Sequence, residues 1–129
     1  QKEVVDRMAA APNNKSYGRL SVMLSLQCDV EPLFDINPGA FSPPPKVTSS
    51  FVRLTPKQKR PEDKLRRELQ KIVTAAFSMR RKTLRNSLKT TVGSEILERA
   101  EIDSRLRAEN LSVADYVRLA EICIQQQGG

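Results

Sequence analysis

From residue 63 onward, apolar side chains recur at steps of three and four, and this period constrains the fold more than any other feature of the chain. An α-helix has 3.6 residues per turn, so the spacing places these side chains on one buried helical face. We therefore expect residues 63–129 to form a small all-α domain of four or five helices. The apolar positions of its first long helix are Leu65, Leu69, Ile72, Val73, Ala76 and Phe77.

Shorter helical patterns follow in the same half of the chain. Leu84 and Leu88 lie four residues apart, and Ser94 is typical of the start of a short helix. Before the last apolar run, Ser112 and Asp115 resemble a capping box, in which each side chain accepts a hydrogen bond from the other residue's backbone. We expect the last helix to turn four residues inward: Val113, Val117, Ala120 and Ile124.

Residues 1–54 mix helical and strand patterns. "EVVDRMAAA" predicts a helix, and "SYGRLSVMLSLQC" predicts a second one that is mostly buried through its five apolar residues. "VEPLFDI" and "KVTSSFVRL" predict strands, and the polar, proline-containing stretch at 55–62 predicts a linker. Two strands alone are marginally stable, so this half is expected to complete a larger sheet. The apolar residues of the second helix are Leu20, Val22, Met23, Leu24 and Leu26.

The chain starts at Gln1, without methionine or a signal-peptide pattern, and we expect it to be a piece of a longer protein. No apolar run is long enough for a membrane span, so we expect no membrane partner. Cys28 and Cys123 show no paired spacing, which favours a reduced, cytosolic compartment.

Several kinds of chemistry are excluded by composition. The chain contains no histidine, so it cannot form a Ser-His-Asp or Cys-His nucleophile, and two distant cysteines cannot form a zinc site. It also has no glycine-rich phosphate-binding loop. We therefore expect no metal and no self-sufficient catalytic group.

The charge distribution points to an anionic partner. The net charge is +7, and no acidic residue occurs between Glu68 and Glu95. Such a block favours nucleic acid, because neutralising phosphates releases counterions and supplies most non-specific affinity. An ordinary solvated helix face and a basic membrane-surface helix are the alternatives. The six positive residues of the block are Lys71, Arg80, Arg81, Lys82, Arg85 and Lys89.

Five blocks of sequence carry a resemblance to a known family: "QKEVVDRM", "YGRLSV", "AFSPPPKVTSSFVRL", "AFSMRRKTLRNSL" and "RAENLS". Their order and spacing resemble the C-terminal part of the bacterial ribosomal RNA adenine dimethyltransferases, the KsgA/RsmA family. That resemblance implies the end of a Rossmann-like methyltransferase domain at 1–54, a linker at 55–62 and a helical rRNA-binding domain at 63–129. The fold class expected is thus an α/β fragment followed by an all-α domain.

The resemblance also implies an activity. Such enzymes use S-adenosylmethionine to dimethylate two adjacent adenines in the 3′-terminal hairpin of small-subunit rRNA, within a 30S assembly particle in the cytoplasm. The family's cofactor loop and its Asn-Pro-Tyr target motif are absent from this sequence. We therefore expect this chain alone to bind no cofactor and to be inactive. A non-catalytic RNA-binding or ribosome-assembly module is the alternative.

Site residues follow from the same resemblance. Phe41, in "AFSPPPKV", would stack on the flipped target adenine, whereas local reasoning alone favours a core phenylalanine at this position. Arg7 and Arg107 would be further RNA contacts, although an intramolecular salt bridge is nearly as good an interpretation of either. Self-association through the exposed sheet edge is also expected. The residues expected to bind rRNA phosphates are Arg80, Arg81, Lys82, Arg85, Arg107 and Arg7.

Overall fold

The computed structural model describes residues 1–40, 42–44 and 46–128. In these ranges a small α/β half with one two-stranded sheet precedes a helical half. The elements, in chain order, are α1 (Lys2–Ala9), α2 (Arg19–Ser25), β1 (Cys28–Ile36), a 3₁₀ turn (Pro38–Ala40), β2 (Ser49–Pro56), α3 (Asp63–Ser78), α4 (Leu84–Ser87), α5 (Ser94–Arg99), a second 3₁₀ turn (Ala108–Asn110) and α6 (Val113–Gly128).

The two strands form an antiparallel pair in which Cys28 lies opposite Pro56 and Ile36 opposite Ser49. The register shifts between Pro32 and Phe34, where the prolyl residue lacks the N–H that a regular ladder requires. β2 extends to Pro56, so the first two residues of the segment predicted as a linker continue the strand.

The hydrophobic core lies almost wholly in the helical half. The long helices α3 and α6 pack against each other, and the short α4 and α5 pack against α3 and α6 respectively. From the first half of the chain, Tyr17 and Val22 are buried in this core, and Ala10, Met23 and Leu26 pack against it while partly exposed. The fully buried side chains of the helical core include Leu69, Ile72, Val73, Leu84, Leu88, Tyr116 and Leu119.

Of the six residues predicted for the buried face of the first long helix, Leu69, Ile72, Val73 and Ala76 are buried, and Leu65 and Phe77 are partly buried against the core. The predicted capping box is present. The backbone N–H of Asp115 donates to the Ser112 hydroxyl at 3.1 Å, and the N–H of Ser112 donates to the Asp115 carboxylate at 3.0 Å. Satisfying two otherwise unpaired donors in this way fixes where α6 begins.

The inward face predicted for α6 is wrong by part of a turn. Val113, Val117 and Ile124 are only partly buried, and Ala120 alone of the predicted four is fully enclosed. α6 is apolar on several sides, so spacing alone does not select a face, and packing on α3 decides it. The residues that face the core are Tyr116, Leu119, Ala120 and Cys123.

The second helix is shorter and more exposed than the sequence predicts. α2 contains only two buried residues, Ser21 and Val22, and Leu20 is 42% exposed. It contacts α1, β1 and α3, and these neighbours cover part of its surface. The expectation of a mostly buried helix is therefore corrected.

Candidate nucleic-acid interface

The expected phosphate-binding residues lie at the turn between α3 and α4. α3 ends at Ser78, and the backbone N–H of Lys82 donates to the carbonyl of Met79 at 2.9 Å, which closes the turn. Arg81 and Lys82 are exposed at this turn. Two adjacent cations in a tight turn concentrate positive charge, as binding to a nucleic-acid backbone requires.

Arg80, although adjacent, has a different environment. Its guanidinium donates to the backbone carbonyl of Lys15 at 2.9 Å and to that of Asn14 at 3.3 Å. It also lies 3.7 Å from the Glu109 carboxylate and 5.7 Å from the centre of the Phe77 ring. The two carbonyl contacts join segments that are more than 60 residues apart, so Arg80 links the two halves of the chain.

Arg85 and Lys89 lie farther along, on the exposed side of α4 and just after it. They share a hollow with Arg105, a residue that the sequence analysis did not select. Arg105 donates to the Asp103 carboxylate at 2.9 and 3.1 Å, and this hydrogen bonding lowers the pKa of the Asp103 carboxyl. Arg105 is thus paired with Asp103 within the chain, whereas Arg85 and Lys89 supply the other positive charges of this hollow.

Arg107 is brought beside the basic turn by the backbone. Thr83 and Arg107 form an isolated antiparallel bridge, and the N–H of Leu84 donates to the carbonyl of Leu106 at 2.7 Å. The side chain of Arg107 is exposed. Arg107 therefore lies beside Thr83, the residue that follows Lys82 in the chain.

Arg7 lies on α1, away from that turn. It forms an intramolecular salt bridge, which was the alternative to its role as an RNA contact. Its guanidinium is 2.9 Å from the Glu3 carboxylate, four residues earlier, and both side chains are more than half exposed. Exposed pairs of this kind contribute little and exchange readily for other anions. Arg7 also lines a second basic hollow, described below.

The second hollow lies at the junction of the two halves and was not found from sequence. It is lined by Arg7, Lys15, Arg19 and Arg80, together with Ser16 and Gly18. Lys15 and Arg19 stand in the short stretch "KSYGR", where two isolated cations give no signal in composition or period.

Two buried tyrosine hydroxyls donate hydrogen bonds to backbone carbonyls near these hollows. The Tyr17 hydroxyl donates to the carbonyl of Leu111 at 2.7 Å, and the Tyr116 hydroxyl donates to that of Ala108 at 2.6 Å. Burial raises the pKa of Tyr17 to about 12 and raises that of Tyr116 as well. Both phenols therefore stay neutral donors at physiological pH.

Phe41, the residue expected to stack on the target base, lies outside the described residues. Within the ranges that the structure covers, no group of three or more potential metal ligands is present. In those ranges, too, no helix has the length and apolar character needed to cross a membrane. The basic turn and the two hollows give this part of the chain a surface rich in positive charge.

Comparison with known proteins gives a consistent result. The family profile described as "Ribosomal RNA adenine dimethylase" matches residues 1–125. The protein named "Ribosomal RNA small subunit methyltransferase A" from Pseudomonas aeruginosa is 52% identical over 124 residues, covering 93% of this chain and 45% of that protein. The protein of the same name from Xanthomonas oryzae pv. oryzae is 53% identical over 123 residues, covering 95% and 47%. The chain thus spans about half the length of the curated relatives it matches.

Solved structures agree on the fold. A dimethyladenosine transferase from Plasmodium falciparum superposes with a TM-score of 0.81 at 25% identity, covering 99% of this chain and 56% of that one. The 23S rRNA methyltransferase ErmE superposes with a TM-score of 0.67 at 19% identity, covering 95% and 51%. The second likeness concerns the fold alone.

Proposed function

The chain belongs to the ribosomal RNA adenine dimethylase family, and from this membership we propose that the protein carrying it is an S-adenosylmethionine-dependent rRNA adenine dimethyltransferase. The substrate is small-subunit rRNA, in which two adjacent adenines of the 3′-terminal hairpin each receive two methyl groups on the exocyclic nitrogen. The match of the family profile across residues 1–125 is the observation that carries this proposal. The names of the relatives support it.

The role of this chain is to hold the RNA. The exposed cations Arg81, Lys82 and Arg107 lie together on the helical half, and Arg85 lies on the next helix. Phosphate contacts position a nucleic acid without reading its sequence, so this surface orients the rRNA while base recognition occurs elsewhere. Residues 63–129 are then the RNA-binding domain, and residues 1–54 are the end of a Rossmann-like methyltransferase domain.

S-adenosylmethionine supplies the methyl groups, but the residues of this chain do not fit its binding. The acidic side chains near the first helix are already engaged: Asp6 lies 3.3 Å from the Lys2 ammonium, and Glu3 lies 2.9 Å from the Arg7 guanidinium. The sequence contains no glycine-rich loop beside them. We therefore assign no step through the cofactor to this chain, which alone should be inactive.

A transfer assay tests the proposal. The full protein, incubated with methyl-labelled S-adenosylmethionine and immature small subunits, should place four methyl groups on two neighbouring adenines of the 3′ hairpin, as mass spectrometry of the digested rRNA would reveal. Binding to the particle without any transfer would instead support the alternative, a non-catalytic RNA-binding or assembly module.

Phe41→Ala in the full protein should reduce methyl transfer by about 5- to 150-fold. This range corresponds to about 1 to 3 kcal/mol for stacking one base on an aromatic ring. Binding to the assembly particle should change much less, because phosphate contacts supply that affinity. Single-turnover transfer and equilibrium particle binding are the two measurements.

Phe51→Ala is the matched control, because it removes a phenyl ring from β2, in the same half of the chain. Equal losses of transfer and of particle binding for Phe41→Ala would contradict the stacking role and favour a core phenylalanine.

The expected compartment of the protein is the cytoplasm, where bacterial ribosomes assemble.

The two-stranded sheet offers a surface for self-association. Phe34 and Phe51 lie opposite each other with ring centres 5.0 Å apart, and they are 58% and 52% exposed. A two-stranded sheet also leaves an unpaired backbone edge on each strand, which is a template for a further strand. Sedimentation of the chain at increasing concentration would detect the dimer, and a strictly monomeric chain would refute this part of the proposal.

A further inference from the structure

The hollow at the junction of the two halves brings four cations together. We infer that this hollow, hereafter the junction groove and formed by Arg7, Lys15, Arg19 and Arg80, binds a phosphate of the RNA backbone, with Lys15 and Arg19 as the contacting cations. The inference rests on the proposed function, since it takes RNA as the ligand.

The groove is held in place by the segment that precedes α2. The N–H of Asn13 donates to the carbonyl of Glu109 at 2.8 Å, and the side-chain amide of Asn110 donates to the Asn13 side-chain oxygen at 2.8 Å. Tyr17, 1% exposed, fastens the far end of the same segment through its hydroxyl on Leu111. A segment fixed at both ends presents its cations in a defined position rather than on a mobile loop.

Arg80 forms the floor of the groove and acts as a positioning residue. One terminal nitrogen of its guanidinium, Nη2, donates to the carbonyls of both Asn14 and Lys15. The rigid, planar guanidinium holds this nitrogen in place better than the flexible stem of a lysine would hold its ammonium. The Glu109 carboxylate at 3.7 Å offsets part of its charge. Arg80 therefore orients the backbone from which the Lys15 side chain extends.

Lys15 and Arg19 remain available to a ligand. Among the residues that the structure describes, neither is within 4.0 Å of a carboxylate oxygen in an ion pair. Arg19 is also the first residue of α2, the end at which a positive charge is disfavoured by the helix dipole. Its position thus gives no benefit to the helix, which is consistent with a role in binding.

The chemistry of the groove favours a phosphodiester. No acidic residue lines it, and the Ser16 hydroxyl adds a neutral donor to the cations. Arg80 lines the groove and is followed directly in the chain by Arg81 and Lys82 of the basic turn. A polyanion with regularly spaced charges can contact both places, whereas a single small anion would occupy only one.

The test is the salt dependence of hairpin RNA binding by the full protein. Lys15→Gln/Arg19→Gln should weaken binding at least tenfold and reduce the log-log salt slope by about 0.7 to 0.9, the change expected when one phosphate contact is lost. The matched control is Lys64→Gln/Arg67→Gln, which removes the same charge from exposed positions of α3 and should leave the slope near the wild-type value.

Arg80→Lys separates position from charge. It preserves the net charge, so a loss of affinity together with faster amide exchange at residues 13–18 supports the positioning role. The single variants Lys15→Gln and Arg19→Gln should each show about half of the change in salt slope expected for the double variant. These single variants provide the test if the double variant does not fold.

An unchanged slope in Lys15→Gln/Arg19→Gln, or an equal change in the control, would overturn the inference. If Arg81→Gln/Lys82→Gln still weakens RNA binding in that case, only the junction groove is refuted. If no cation variant alters RNA binding, the proposed function of the surface fails as well.

Discussion

Tyr17→Ala is expected to lower the free energy of unfolding by about 3 to 5 kcal/mol, the usual cost of truncating a buried aromatic side chain. Tyr17 is 1% exposed, and its ring packs edge-on against Phe77 at 5.9 Å. It is also the largest side chain of the first half that is buried in the helical core. Urea unfolding followed by circular dichroism would measure the change.

Two variants bracket this expectation. Tyr17→Phe keeps the ring but leaves the Leu111 carbonyl without its donor, at a cost of about 1 to 3 kcal/mol. Leu20→Ala, three residues later and 42% exposed, should cost less than about 1 kcal/mol. If Tyr17→Ala cost no more than Leu20→Ala, the two halves would not be joined through this ring.

Arg81→Gln/Lys82→Gln should weaken binding of the full protein to small-subunit particles by about 100-fold. A hydrogen bond to a charged group contributes about 1.5 to 3 kcal/mol, so each lost contact costs about tenfold or more. The log-log salt slope should fall by about 1.4 to 1.8, because two phosphate contacts disappear. Filter binding at several potassium chloride concentrations gives both quantities.

The control for charge alone is again Lys64→Gln/Arg67→Gln on α3. Both pairs remove two positive charges, so a general electrostatic effect would weaken them equally. Such an outcome would contradict a specific phosphate-binding role for the turn. The unfolding midpoint should stay unchanged in both variants, since all four side chains belong to surface positions with little buried area.

Much of the helical half was predictable because its signals are local. Leu69, Ile72 and Val73 repeat at helical spacing, and the Ser112 and Asp115 pair marks a helix start within four residues. Such patterns need no knowledge of distant segments. The face of α6 was predicted wrongly because Val117 and Leu119 are both apolar, and only the position of α3 determines which of them is enclosed.

The positive charge of the site could be predicted from the sequence, but the positions of its side chains in the folded chain could not. Six cations without a carboxylate between Glu68 and Glu95 indicate a polyanion, and Arg81 and Lys82 do lie exposed at a turn. Nothing local distinguishes Arg80 from its neighbour Arg81. The difference comes from the carbonyls of Asn14 and Lys15, which approach from the other half of the chain.

The sequence by itself determined the helices of the second half, the strands of the first, the basic character of the binding surface and the family resemblance. These follow from local spacing, charge and the order of motifs, all of which are linear properties. Only the tertiary structure decided that Arg80 fastens the two halves and that Lys15 and Arg19 join Arg7 in one groove. The physical reason is that a side chain's role depends on which groups surround it, and those groups come from segments that meet only when the core around Tyr17 and Phe77 has packed.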